Sequence, residues 1–356
     1  MRTADALAFA VARTARLRAV DGALPHITGE DGSWLSLSPV GREDEALTGL
    51  PWTGGFVAGQ LWLAGRADEA AAVTELLAPR AEQATTHDLG FLFWPSAVLG
   101  HLATGEERYR DLGLRAARSL TERALPSGVL QVIGDLDDRA FRGRTIVDTW
   151  PNLLLLWWAE REGDETAGRA ARAHLDATLP ALLRPDGSTF HAARIGDDGT
   201  VLERDTDNGW SPDSTWARGQ AWAVHGLVSA ARATGGARFR EAAERAAWWF
   251  LDHLPADLVP PWDFDAPPGS ADASAATIAA SALLDLGWEA EAQRLLDALA
   301  ATCLNDTDTD GTLLHCCYRH GIGLGLDCAT AWGDFFLLDA LTAAVAPEHR
   351  LDPLAR

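Results

Sequence analysis

Twelve stretches of this chain carry helical periodicity, and they alternate between two kinds. Those at 3–19, 66–79, 106–122, 164–183, 236–252 and 287–303 are amphipathic, with one wet, charged face. Those at 54–64, 88–103, 146–162, 214–234, 271–286 and 328–346 are apolar nearly all round. An apolar helix must be covered on every side, whereas an amphipathic one needs cover on one face only. The alternation therefore predicts an inner ring of helices inside an outer ring. Links as short as Thr104-Gly105 and Gly235-Gly236 suit antiparallel hairpins. The expected fold is all-α, a single (α/α)6 barrel of six helical hairpins, with residues 1–356 forming one domain.

The long connections lie at 20–53, 123–145, 184–213, 253–270 and 304–327, and each leads into an apolar helix. They hold many of the glycines, prolines, aspartates and tryptophans, and within 184–203 turn residues flank short β-like pieces that suggest a small hairpin. Loops gathered at one end of a rigid barrel are where a functional site is expected.

Composition narrows the function. The formal net charge is −21 and the chain has no lysine, so nucleic acid and anionic membranes are poor partners. No apolar run reaches membrane-spanning length, and the N-terminal stretch, with Asp5 inside its apolar patch, reads as an amphipathic helix and not as a signal peptide. A cytoplasmic protein is expected. The cysteines at 303, 316, 317 and 328 lack CxxC spacing, which points to buried free thiols and away from a zinc site. Fifteen tryptophans against two tyrosines provide flat apolar platforms suited to stacking on sugars as well as to core packing.

Each apolar helix opens on polar or aromatic groups. Trp52 precedes the first; His87 and Asp88 open the second; Asp148 and Trp150 open the third. Asp213, Trp216, Arg218 and Trp222 open the fourth, Trp262, Asp263 and Asp265 lead into the fifth, and Asp327, Trp332 and Asp334 mark the sixth. Asp148 occupies an N-cap position, and Pro151 is tolerated because it falls in the first turn. Asp272, Asp327 and Asp334 read as helix caps. Arg218, inside an apolar aromatic helix, must be paired, with a substrate carboxylate and a structural ion pair about equally favoured. Asp88 and Asp148 facing one pocket suggest acid/base work. Burial and like charge would raise one pKa, while a helix N-terminus works the other way.

With these residues in place, the chain resembles the unsaturated glucuronyl hydrolases, glycoside hydrolase family 88. The resemblance runs in family order over nearly the whole chain. Its motifs are Trp52-Thr-Gly-Gly-Phe-Val-Ala-Gly-Gln-Leu-Trp62, His87-Asp88-Leu-Gly-Phe91, Asp148 with Asn152, Asp213-Ser-Thr-Trp-Ala-Arg-Gly-Gln-Ala-Trp222, Trp262-Asp-Phe-Asp-Ala266, and Gly325-Leu-Asp327 through Trp332-Gly-Asp334. It implies the same barrel and the release of the 4,5-unsaturated uronic acid that polysaccharide lyases leave at oligosaccharide ends. The route is hydration of a vinyl ether rather than ordinary glycoside hydrolysis. Asp148 would be the acid/base and Asp88 would hold ring hydroxyls and the charge of the site. Trp52, His87, His191, Arg218 and Trp222 would line the pocket. No metal or cofactor is implied, and the partner is an unsaturated uronic-acid oligosaccharide.

Two departures stand out. Thr206-Asp207-Asn208-Gly209-Trp210 replaces a family pattern of Thr-His-Gln-Gly-Tyr, which places an anion where an acidic substrate is expected, and the run His315 to His320 is unusual. Two other readings compete. A sugar isomerase or epimerase would need two histidines from His87, His191 and His225, and a silent sugar-binding barrel would not need both Asp88 and Asp148. A hydrolase acting on an unsaturated uronoside of a small natural product is a further variant.

Overall fold

The computed structural model describes residues 1–39 and 51–355, so part of the 20–53 connection lies outside the described residues. Six inner positions close into a ring. They are filled by α2 (Gly54–Leu63), α4 (Leu89–Phe93) continued through a wide turn into α5 (Leu99–Thr104), α7 (Thr149–Asn152) with α8 (Leu154–Arg161), α10 (Ala217–Thr234), α12 (Ala273–Leu286) and α14 (Ala331–Val345). Each packs on the next, and α14 returns to α2. The outer ring holds α3 (Ala67–Leu77), α6 (Glu107–Thr121), α9 (Glu165–Leu182), α11 (Ala237–Asp252), α13 (Glu289–Thr302) and α1 (Thr3–Arg13). This is the predicted barrel of six hairpins.

Burial follows the two helix types. In α14 every residue from Ala331 to Thr342 is buried, whereas α6 hides one stripe that includes Tyr109, Leu112, Ala116 and Leu120. Packing at inner-ring distances demands small residues at the crossings. Gly90 of α4 and Gly226 of α10 both press on the short helix α7. A Cβ on Gly90 would lie 2.5 Å from Asn152 Cα, and one on Gly226 would lie 2.5 Å from Trp150 Cβ.

The first helix ends at Arg13 rather than at 19, and two inner helices are reorganised relative to the expected spans. The stretch 88–103 is not one regular helix, because residues Trp94–Val98 widen into a π turn. Pro95 has no N–H to donate, and the extra residue relieves the ring's clash with the preceding turn. The 146–162 helix starts later, at Thr149, because residues Arg144–Ile146 form a strand instead.

That strand, β3, pairs with β4 (Ala192–Ile195), which pairs in turn with β5 (Val201–Asp205), all antiparallel. The β4–β5 pair is the small hairpin expected near 184–203, displaced toward the C-terminus. A further hairpin, β1 (Leu24–Thr28) with β2 (Trp34–Leu37), lies in a connection expected to be irregular. The three-stranded sheet positions the site. Val147 N–H donates to His191 O at 2.9 Å, so the sheet edge sets Asp148 beside His191.

The inner crossings yield a stability test. Gly90→Ala should lower stability by about 2–3 kcal/mol, since the added carbon meets backbone that cannot yield. Gly321→Ala, open to space, should fall within about 0.5 kcal/mol of wild type in urea unfolding.

Candidate active site

A cleft of about 190 Å³ opens at the end of the barrel where the inner helices begin. Its walls include Trp52, Phe91, Ile146, Trp216 and Tyr318, and its polar groups include His87, Asp88, Asp148, Asp207, Asn208, Arg218 and Arg319. Asp88 and Asp148 thus share one cavity, as their places at helix mouths suggested.

The two carboxylates have different surroundings. Asp88 Oδ2 accepts the Thr86 hydroxyl at 2.9 Å, and Oδ1 lies 3.4 Å from His87 Nε2. Asp88 also lies close enough to buried Arg80 and Arg123 for its charge to act on both. Asp148 is poorer in partners. It stands at the N-cap position of α7 but makes no side-chain cap, and its Oδ2 is buried without a hydrogen bond. Burial pushes its pKa up to about 7. Arg218 and its own backbone N–H oppose the rise, and Asp88 and Asp207 add to it. A carboxyl half-protonated near neutrality beside a better-partnered carboxylate is the division of labour that acid/base chemistry requires.

Two buried histidines flank the pair. His87 Nδ1 meets the Thr149 hydroxyl at 2.8 Å. His191 Nδ1 accepts the Asp207 N–H at 3.1 Å and meets Thr206 Oγ1 at 2.9 Å. An accepting Nδ1 places the ring proton on Nε2, which lies 3.7 Å from Asp148 Oδ2. Burial lowers both pKa values, that of His191 to about 4, so neutral rings face the carboxylates. His225, counted in sequence among histidines available to an epimerase, stands elsewhere. It packs between Trp94 and Phe336, in a separate small cavity with Arg232 and Asp339.

Several sequence readings need correction here. Trp222 does not line the cleft; its indole is fully buried behind Phe91, with ring centroids 4.9 Å apart. Trp216, six residues earlier at the N-cap of α10, supplies the tryptophan instead. Arg218 reaches the cleft wall, but its hydrogen bonds are committed to Asp272 and to the carbonyls of Cys317 and Tyr318, the last at 2.7 Å. Its guanidinium also lies over the Trp216 ring at 4.6 Å. The structural ion pair is therefore the better account of Arg218. Asp272 consequently makes no side-chain cap. Asp334 is not the cap of α14 either. Thr330 caps that helix, and Asp334 accepts the N–H groups of Thr312 and Leu313 at 2.9 and 2.8 Å. Asp327 meets His315 on the surface at 2.9 Å. Trp52 stacks obliquely on Trp332, centroids 4.9 Å apart, and keeps one face toward the cleft.

Sequence reasoning placed Trp216 at a helix mouth without choosing it for the pocket, and did not assign Phe91, Ile146 or Arg319 to the lining. The first two lie inside quoted motifs, but identity alone does not tell which tryptophan of 216–222 faces inward. Asp207, noted as an added anion, pairs with Arg144 at 2.9 Å, and the same guanidinium nitrogen holds Asp205 at 2.9 Å.

Among the described residues no cluster of His, Cys, Asp and Glu suited to hold a metal ion is found, and no helix is long and apolar enough to cross a membrane.

No family model matches the chain. It is 34% identical to the unsaturated glucuronyl hydrolase of Bacillus sp. (strain GL1) over 321 residues, 82% of this chain and 85% of that protein. It is 31% identical to the unsaturated chondroitin disaccharide hydrolase of Streptococcus pneumoniae (strain ATCC BAA-255 / R6), over 82% of this chain and 81% of that one. The crystal structure of the glucuronyl hydrolase from Bacillus sp. GL1 superposes with a TM-score of 0.85 at 28% identity, covering 97% of this chain and 96% of that one.

Two aspartates of this site should respond in opposite directions. Asp148 has a folded pKa above its unfolded value, so its carboxyl favours folding fully below about pH 4, and that contribution is lost as pH rises through about 7. Asp148→Asn should then match wild type near pH 4 and exceed it at pH 8, by on the order of a few kcal/mol in chemical denaturation. Asp272→Asn leaves buried Arg218 uncompensated and should cost about 3–5 kcal/mol at pH 7 in the same assay.

Proposed function

This chain belongs to the unsaturated glucuronyl hydrolase family and is a glycosidase, and we propose that its cleft releases a terminal 4,5-unsaturated uronic acid from lyase-generated oligosaccharides, with Asp148 as the acid/base. The observation that carries the assignment of roles is the contrast between the two carboxylates. Asp148 is desolvated, with an unpartnered Oδ2 and a pKa near 7, while Asp88 is hydrogen-bonded and lies near cations.

In this reading the protonated Asp148 gives its proton to C4 of the vinyl ether, and positive charge develops at C5 and the ring oxygen. Water adds at C5 and returns its proton to the Asp148 carboxylate, which restores the acid. The resulting hemiketal opens by breaking the bond from C5 to the ring oxygen and leaves a ketone at C5. The hemiacetal then left at C1 expels the neighbouring sugar as an alcohol and becomes an aldehyde. Neutral His191, with Nε2–H toward Asp148 Oδ2, orients the acid and the incoming water. Asp88 accepts ring hydroxyls, supported by His87, and Trp52 and Trp216 provide apolar faces for the ring. No step calls for a metal or an organic cofactor.

The enzyme works, on this proposal, as one domain acting in the breakdown of lyase-cut polysaccharide. Four buried, unpaired thiols support a reducing compartment such as the cytoplasm.

Hydration destroys the conjugated enoate, so its ultraviolet absorbance reports the reaction directly. Wild type should abolish that absorbance with unsaturated disaccharides, and Asp148→Asn should lower kcat by at least about 10²–10⁴-fold, the usual range for general acid/base catalysis. Because the acid must hold its proton, kcat/KM should decline as pH rises through about 7. Epimerisation would leave the absorbance intact, and a persistent signal in every substrate rejects the assignment.

A further inference from the structure

The cleft has two guanidinium groups on its wall, and they are in different states. Arg218 is held by Asp272 and two carbonyls. Arg319 is half-buried, and among the described residues its side chain has no hydrogen bond and no ion pair. The nearby carboxylate of Asp207, which could have neutralised it, is taken by Arg144. A half-buried guanidinium with five donors and no acceptor among the described residues is expensive unless something else supplies the acceptor.

Arg319 is also fixed in place. Its backbone N–H donates to Leu324 O at 2.9 Å and its carbonyl accepts from Leu324 N–H at 3.1 Å, closing the turn over residues 320–323. On the other side, Tyr318 N–H bonds Gly325 O at 2.7 Å, and the Tyr318 carbonyl accepts from Arg218. Arg218 thus holds the loop segment from which Arg319 projects. A cation on an anchored backbone, with a free planar fork, is preorganised for bidentate capture of a carboxylate.

We infer that Arg319 is the specificity residue that binds the carboxylate of the unsaturated uronic acid, with Arg218 as the positioning residue behind it. The inference rests on the reading that the substrate is such a uronate. Its carboxyl group hangs on C5, next to the C4 that Asp148 protonates, so the anion must sit near the acid end of the cleft. The charge of Arg319 acts on His191 and on Tyr318, and His191 is itself 3.7 Å from Asp148 Oδ2. An anion on the neighbouring sugar would lie farther from that end. The carboxylate keeps its charge throughout the reaction, so this contact binds ground and transition states alike and belongs mainly in KM.

The test compares wild type with Arg319→Gln on an unsaturated disaccharide, on its uronate methyl ester, and on a sulfated disaccharide of the same backbone. For the free acid, kcat/KM should fall about 10- to 100-fold, as expected for losing hydrogen bonds to a charged group, and mostly through KM. The methyl ester should change by less than about 3-fold, the two disaccharides should lose equally, and Arg319→Lys should recover part of the loss. Equal loss on acid and ester, or a loss confined to the sulfated substrate, overturns the inference while leaving the hydrolase reading intact. If wild type turns over none of these, that reading fails. Binding still decides the inference, through quenching of tryptophan fluorescence by the unsaturated disaccharide in Asp148→Asn with and without Arg319→Gln. Equal affinities there reject it; a matching 10- to 100-fold weakening supports it.

Discussion

The side-chain amide of Asn152 accepts the Phe91 N–H at 2.6 Å through Oδ1 and donates to the Asp148 carbonyl at 2.8 Å through Nδ2. Its backbone presses on Gly90, where no Cβ would fit. One residue on α7 therefore ties the strand-to-helix turn that carries Asp148 to the helix that follows Asp88. Both polar ends are buried, so losing either bond leaves an unsatisfied group in a low-dielectric interior. The geometry of the acid/base pair follows from how two inner helices are joined. The wide turn at Trp94–Val98 lies beyond this junction, where α4 can bend around Pro95 without moving Asp88.

Burial at the same junction sets the chemistry of Asp148. The start of a helix favours an anion, and so does a nearby guanidinium. Arg218 exerts that pull, and burial outweighs it. Asp272 makes this balance possible. By holding the Arg218 guanidinium it supplies a counter-charge that keeps the cation from acting on Asp148 alone. The buried pair adds little net stability of its own kind. Its effect is to anchor the segment around Tyr318 while sparing the acid.

The ring order and the helix types were legible because they depend on hydrophobic period, which the sequence displays directly. The helix limits near 146 were not, since Arg144–Ile146 pairs with a strand nearly fifty residues away and local pattern does not report such pairing. Within the site, Asp88 and Asp148 could be chosen because carboxylates at the mouths of apolar helices are unusual. Trp222 and Trp216 could not be ranked, since both sit in one motif and only the rotation of α10 decides which faces the cleft. Arg218 illustrates a different limit. Sequence required it to be paired but could not locate Asp272, 54 positions away, which had the look of an ordinary cap. Arg319 stood out only as an oddity in an unusual run, because having no partner among the described residues is a property of its neighbours in the fold.

Asp207 shows how local arrangement overrides total charge. At −21 the chain repels an anionic ligand at a distance, yet at physiological ionic strength exposed charges farther than about 8 Å are largely screened. What an acidic substrate meets is decided inside the cleft. There Arg144, at the edge of the three-stranded sheet, bridges Asp205 and Asp207 and cancels part of the anion that the Asp207-Asn208 departure introduces. The sheet that aligns Asp148 with His191 through Val147 thus also controls the field along one wall. An acidic cleft in a strongly acidic protein can accept an acid when each of its carboxylates is protonated, hydrogen-bonded or paired and a cation is left over. Asp148 is half-protonated near neutrality, Asp88 is hydrogen-bonded to Thr86, and Asp207 is paired with Arg144, which leaves Arg319 as that cation among the described residues.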